Sequence, residues 1–131
     1  MTWTFAYRAR FVRVIDGDTL DVDIDRGFGD TLRQRVRLLG VNTPETHDTD
    51  PSKRAGALAA TNYVRAWCTQ AFNEAQLVAD PWELRIATAK SDVFGRYLAR
   101  VWKAADYGRP DLDLSGVLIT AGLGVSFMVT S

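Results

Sequence analysis

Leu20, Val22 and Ile24 alternate with Asp21, Asp23 and Asp25, a period of two that predicts a strand with one face buried and the other wet. The Arg-Gly-Phe-Gly-Asp run at residues 26–30 supplies two glycines for a turn. Beyond it, Leu32, Gln34, Val36 and Leu38 alternate with Arg33, Arg35 and Arg37, so the returning strand carries three arginines on one face. Phe5 to Ile15 reads as a preceding strand of the same meander. Pro51 and Ser52 suit the start of a long helix from Lys53 to about Glu74, where Ala55, Ala59, Tyr63, Ala66 and Trp67 fall near helical spacing. Pro81 breaks the chain before a strand at Glu83 to Thr88, and Arg96 to Trp102 alternates as another. Leu114 to Ala121, stopped by Gly122, suits a short helix. These elements predict an α+β fold: a five-stranded OB-fold-type β-barrel, partly closed, with one long helix and one short helix.

A chain of 131 residues is expected to form a single domain over residues 1–131, and its hydrophobic share of 47% and charged share of 24% exclude disorder, collagen and coiled coil. Sixteen Lys and Arg against sixteen Asp and Glu exclude attachment to polyanions through overall charge. Contact with nucleic acid then needs a local cluster. Charge is in fact uneven: residues 1–30 hold four Arg and six Asp, whereas residues 31–60 hold five Lys and Arg against three Asp and Glu. Cys68 is the one cysteine and His47 the one histidine, which rules out an intramolecular disulfide, a Cys-rich zinc site and an all-histidine site. The first residues interleave Arg8, Arg10 and Arg13 with apolar residues and offer no signal-peptide core, so the expectation is a cytoplasmic protein unless a signal was trimmed. Gly116 to Val129 is the most apolar stretch, but Thr120 and Ser126 interrupt it and it is too short to span a bilayer, so no membrane association is expected.

Three short motifs place a charged group beside a turn former: Asp-Gly-Asp-Thr at 16–19, Arg-Leu-Leu-Gly-Val-Asn-Thr-Pro-Glu-Thr at 37–46, and Asp-Val-Phe-Gly-Arg at 92–96. Each alone is an ordinary turn or strand end: Gly17 lets the backbone reverse, Pro44 ends a strand, and Gly95 suits a hairpin. Together, and in this order, they resemble the staphylococcal nuclease, or thermonuclease-like, family, over about Phe11 to Gly124. The resemblance implies an OB-type barrel with helices and calcium-dependent cleavage of DNA and RNA, with little sequence specificity and 3′-phosphate ends. It matches Asp18 to the first calcium-binding Asp, Arg37 to the strand arginine, Thr43 and Glu45 to the loop threonine and glutamate, and Arg96 to the hairpin arginine.

The chemistry of the residue types agrees with those roles. Phosphodiester hydrolysis builds negative charge on the free oxygens of the transition state, and Arg37 and Arg96 carry planar forks that match phosphate and stay charged. Calcium takes only oxygen ligands, which Asp18, the Asn42 side-chain carbonyl and the Thr43 backbone carbonyl can supply. Glu45 either orients or deprotonates the attacking water.

The chain departs from the family at Asn42, where well-known members carry Asp, and at Phe94, where Tyr is common. The first removes a ligand charge; the second keeps an aromatic face for nucleic acid but loses a hydroxyl. The residues after Val125 are also too few for the family's long C-terminal helix. The acidic loop after Glu45, with His47, Asp48 and Asp50, either assists the metal, repels the nucleic-acid backbone or is plain solvated surface. Arg33 and Arg35 either extend a phosphate track from Arg37 or form an ordinary solvated strand face. Trp3, Trp67, Trp82 and Trp102 are expected mostly in the core, and Cys68 reads as packing. The resulting expectation is a monomeric, calcium-dependent nuclease acting on DNA and RNA, preferably single-stranded. Its rival is a non-catalytic OB-type module that binds nucleic acid or protein.

Overall fold

The computed structural model describes residues 5–45, 48–91 and 97–127. Its strands are β1 (Phe5–Asp16), β2 (Thr19–Asp25), β3 (Thr31–Leu38), β4 (Val41–Asn42), β5 (Leu84–Ser91), β6 (Tyr97–Lys103) and β7 (Val125–Ser126). Helix α1 spans Pro51–Leu77 and α2 spans Leu114–Thr120, with a 3-10 turn at Ala104–Asp106. Five strands close into a barrel in the order β1-β2-β3-β6-β5, with β5 returning to β1. All of these pairings are antiparallel except β3 with β6. Closure goes beyond the partly closed barrel expected, and it leaves these five strands without a free edge.

Two register shifts in β1, between Phe11 and Arg13 and between Val14 and Asp16, let that long strand bend enough to pair with both β2 and β5. The β2–β3 turn passes through Gly27, Phe28 and Gly29 with φ of 85°, 55° and 74°. Two of those left-handed positions fall on glycine, which carries no Cβ penalty there. The core inside the barrel is built from Leu20, Val22, Val36, Leu38, Leu84, Ile86 and Val101, and it is closed by Val64, Trp67 and Cys68 of α1 and by Leu114 and Leu118 of α2.

Several boundaries move for identifiable reasons. The long helix starts at Pro51 because Asp50 caps it, its carboxylate accepting from Ser52 N at 3.0 Å. Asp113 caps α2 in the same way through Gly116 N, and α2 ends one residue earlier than expected, before Gly122 at φ 74°. Strand β5 begins at Leu84 and runs on to Ser91, and β6 begins at Tyr97. The expected burial of Leu32 fails: it is exposed near the turn of the β2–β3 hairpin, and β3 becomes buried only at Val36 and Leu38. The two-residue pair β4–β7 was not foreseeable, because periodicity needs longer runs.

Trp67 and Trp102 are buried as expected, Trp82 lies under the Arg10 guanidinium at 4.3 Å, and Trp3 lies outside the described residues. Burial pushes the Cys68 thiol up to about 12, so it is a packing group rather than a nucleophile. Among the described residues, no helix is long and apolar enough to cross a membrane.

Candidate active site

Pairing of β2 with β3 decides what each arginine faces. Asp23 stands opposite Arg33 and Asp21 opposite Arg35, but Thr19 stands opposite Arg37. Arg33 grips Asp23 with Nε–Oδ1 at 3.0 Å and Nη2–Oδ2 at 3.3 Å, and Arg35 grips Asp21 in the same manner at 2.9 and 3.3 Å. Arg13 of β1 adds a 3.3 Å contact to Asp21, and Arg8 pairs with Asp25 at 2.7 Å. The aspartate face of β2 is therefore not the wet surface that alternation predicts, and Asp21 is only 8% exposed. Hydrogen bonds from Arg35 and Arg33 hold the Asp21 and Asp23 carboxyls below the usual carboxylate range.

Arg37 has no facing carboxylate, so its guanidinium folds toward the end of the strand. Nη1 donates to the carbonyls of Leu38 at 2.7 Å and Val41 at 3.2 Å, while Nη2 donates to Asp18 Oδ2 at 3.4 Å and to Asn42 Oδ1. Both side chains of the Arg37–Asp18 pair are 14% exposed. The Phe127 ring lies 5.9 Å from the guanidinium carbon. The result is a desolvated cation held in one orientation, which strengthens its field on any anion placed beside it.

Asp18 joins segments far apart in sequence: its Oδ2 accepts from Thr43 N at 3.3 Å and its backbone carbonyl from Leu38 N at 2.8 Å. Asp16, which in the sequence only opens the Asp-Gly-Asp-Thr turn, belongs to the same group. Its Oδ1 accepts from Asp18 N at 3.1 Å, and burial together with the neighbouring Asp18 carboxyl raises it to about 6. The signal was available in the two-residue spacing of the carboxylates in the motif.

Three glycines, from the β1–β2 turn, from α1 and from the segment before β7, close on Val41 to Pro44. A Cβ on Gly17 would lie 2.7 Å from both Ala60 Cβ and Thr43 Oγ1, and one on Gly124 would lie 2.6 Å from Val41 Cγ2. One on Gly56 of α1 would meet Pro44 Cγ at 3.3 Å. Gly17 is thus required for close approach, not for a left-handed reversal, since no positive φ occurs there. A glycine inside a helical pattern is the sequence signal that marks Gly56.

Glu45 is exposed at the mouth of a cleft of about 430 Å³ that lies between the Asn42–Glu45 segment, Lys53 and the Gly122–Val125 turn. The loop beyond it is tied by Asp50 N to Asp48 Oδ1 at 2.9 Å and by Arg54 Nη1 to the carbonyls of Asp48 and Thr49. Arg96, Phe94 and His47 lie outside the described residues. No cluster of three or more His, Cys, Asp and Glu side chains is gathered among the described residues. The donors present are two crowded carboxyls, the Asn42 amide and backbone carbonyls, an all-oxygen set that fits a hard cation such as calcium.

Residues 35–131 match the family model described as staphylococcal nuclease homologue. The chain is 34% identical over 90 residues to a thermonuclease of Staphylococcus intermedius, covering 69% of this chain and 45% of that protein. It is 32% identical over 108 residues to a thermonuclease of Staphylococcus hyicus, covering 82% and 56%. An uncharacterised protein of Methanocaldococcus jannaschii is 31% identical over 110 residues, covering 73% and 48%. The chain spans about half the length of these curated relatives. Its closed five-stranded barrel with two helices and the extent of the family match agree: this chain belongs to the staphylococcal nuclease homologue family.

Proposed function

We propose that the chain hydrolyses phosphodiester bonds of single-stranded DNA and of RNA, as a monomer, with calcium, with little sequence specificity and with 3′-phosphate ends. The observation that carries this reading is the Arg37 guanidinium, desolvated beside Asp18 and held by two carbonyls. Two of the similar proteins are thermonucleases, which supports the activity.

Arg37 binds the free oxygens of the scissile phosphate, and its fixed orientation means that little reorganisation is needed as negative charge grows there. Arg96 supplies the second guanidinium. Glu45, exposed at the cleft mouth, orients the attacking water or takes its proton. Asp18, the Asn42 amide oxygen and the Thr43 carbonyl would hold calcium, which when bound adds positive charge beside the phosphate. With Asn42 already accepting from Arg37, the amide joins the cation-holding group to the phosphate-holding group.

Phe94 contributes an aromatic face for a base. Arg33 and Arg35 stay in the proposal only as weak contacts, because a phosphate at either must displace a carboxylate already held by two hydrogen bonds. The deciding experiment is degradation of single-stranded DNA with calcium, with magnesium and with chelator. Cleavage that requires a divalent ion and is fastest with calcium is expected. Undiminished cleavage in excess chelator removes the metal, and binding without cleavage in every condition leaves the non-catalytic module.

A further inference from the structure

The last two turns of α1, the chain that follows them, the start of β5 and the end of β6 enclose a further cavity, of about 220 Å³. It is remote from the candidate active site. From Gly56, which meets Pro44 there, to Ala75 at the cavity, the helix rises about 28 Å at about 1.5 Å per residue. Ala71, Ala75, Val78, Ala104 and Ala105 give it small apolar walls, and Val78, 75% exposed, carries that surface out to solvent.

Two cations line the cavity, and they are not equivalent. Arg85 is fully engaged: Nη1 donates to the carbonyls of Trp82 at 2.6 Å and Leu84 at 3.1 Å, and Nη2 to Asp80 Oδ2 at 2.8 Å. Lys103 is not. It is only 9% exposed, with its ammonium 5.9 Å from the centre of the Trp67 ring, and its ion-pair partner among the described residues is one oxygen of Glu74 at 3.4 Å. That is longer than the about 2.7–2.9 Å of a well-made charged hydrogen bond, and an ammonium has three donors to place. Glu74 is itself half-exposed, on a flexible side chain free to swing outward. Val101 and Trp102, just before Lys103 in β6, fill equally buried positions without a charge, so packing alone does not call for an ammonium.

Size and charge then narrow the ligand. The volume is below the range of about 300–1,000 Å³ that takes drug-sized molecules, which excludes a nucleotide. It holds about six to eight groups the size of a water or methylene, at about 30 Å³ each. A phosphodiester inside a nucleic acid carries a substituent on both sides and cannot reach a cation this deeply buried, so the anionic group must be terminal. One ammonium neutralises one negative charge, whereas a phosphate monoester would leave excess charge beside Glu74 and Asp80.

We propose that this cavity binds a small straight-chain carboxylic acid, with its carboxylate on Lys103 Nζ in place of Glu74 and its chain against Ala71, Ala75 and Val78. The site is independent of the phosphodiester chemistry at Arg37.

The test follows backbone amide shifts by NMR while the full chain is titrated with acetate, hexanoate, octanoate, 1-hexanol, hexylamine and hexyl phosphate. Hexanoate should move amides of residues 71–80 and 103–105 in a saturable way and leave residues 16–19 and 37–45 unmoved. Affinity should rise from acetate to octanoate by up to about fourfold per buried methylene, and the alcohol, the amine and the phosphate should bind more weakly than hexanoate. Lys103→Met, which keeps the length of the side chain but not its charge, should lower hexanoate affinity about tenfold or more, and Lys103→Arg should retain part of it. Glu74→Gln removes the competing carboxylate and should raise affinity several-fold. Thermal melts confirm folding. If Lys103→Met does not fold, the half-exposed Glu74 position decides, and unchanged or weaker binding in Glu74→Gln overturns the site. Absence of saturable shifts in wild type, or equal affinity for 1-hexanol and hexanoate, overturns it as well, and tighter binding of hexyl phosphate than of hexanoate overturns the carboxylate.

Discussion

Strand β3 carries the same residue type on the same face three times, and its two ends do opposite things. At Arg33 and Arg35 the facing residues on β2 are Asp23 and Asp21, and the charges cancel pairwise in bidentate contacts. One step further along, the facing residue is Thr19, because β2 begins there at the turn. Arg37 therefore keeps its charge for the end of the barrel, where carbonyls and the Asp18–Asn42 pair hold it. The difference between an arginine paired along the barrel wall and one turned toward the barrel's end is the residue across the strand, not the arginine.

The largest expected effect separates those two ends. Arg37→Ala should cost a hundredfold to a thousandfold in kcat/KM, the usual loss for a preorganised group aimed at the transition state, while still melting cooperatively. Arg37→Lys should not restore the rate, since a single ammonium cannot reproduce the planar fork. Arg35→Ala should stay within a fewfold of wild-type rate, and comparable losses at both positions would dissolve the distinction.

The next effect concerns the glycines that bring Thr43 to Asp18. Gly17→Ala puts a Cβ against Ala60 and Thr43, and overpacking of this kind costs about 1–3 kcal/mol. Urea midpoints should fall, and calcium affinity by calorimetry should fall with them. Gly29→Ala is the control: nothing lies within 4 Å of its Cβ, but φ is +74°, so it should lose stability through backbone strain without changing calcium affinity. Equal calcium losses in both would remove the close approach at Gly17 from the site.

The charge ladder gives the third effect, with a pH dependence. Asp21→Asn leaves Arg13 and Arg35 without their carboxylate and should cost about 1–3 kcal/mol at pH 7. The folded carboxyl titrates below its ordinary value, so its contribution is complete above about pH 4 and disappears as pH falls through the lowered folded value. Wild type and variant should therefore converge in urea titrations as pH falls below that lowered value. A gap that persists there would mean that shape, not charge, holds the pair.

Glu83 supplies the smallest effect and the opposite sign. It is buried, accepts from Phe11 N at 2.9 Å and has no ion-pair partner among the described residues; burial raises its carboxyl. A raised folded value makes the charged form a burden above it, so Glu83→Gln, which keeps an acceptor for Phe11, should raise stability at pH 7 by up to about 1 kcal/mol. The gain should vanish below pH 4, where wild type is neutral too. A variant less stable than wild type at pH 7 would show that the charge is needed.

Much was legible in the chain because the information is local. Period-two alternation marked β2 and β3, Pro51, Ser52 and Trp67 marked α1 although Ala55, Ala59 and Ala66 of its expected stripe are exposed, and the three motifs marked the family and the candidate residues Asp18, Arg37, Thr43 and Glu45. Alternation says which residues share a face, however, and not what lies across from that face. Pairing register alone decided that Asp21 is buried under two arginines and that Arg37 is left to the site. The short pair β4–β7, the approach of Gly124 to Val41 and the crowding of Asp16 with Asp18 also needed the closed barrel. Each depends on distances between segments that are far apart in sequence, or on burial produced by packing, and no pattern within a single segment encodes either.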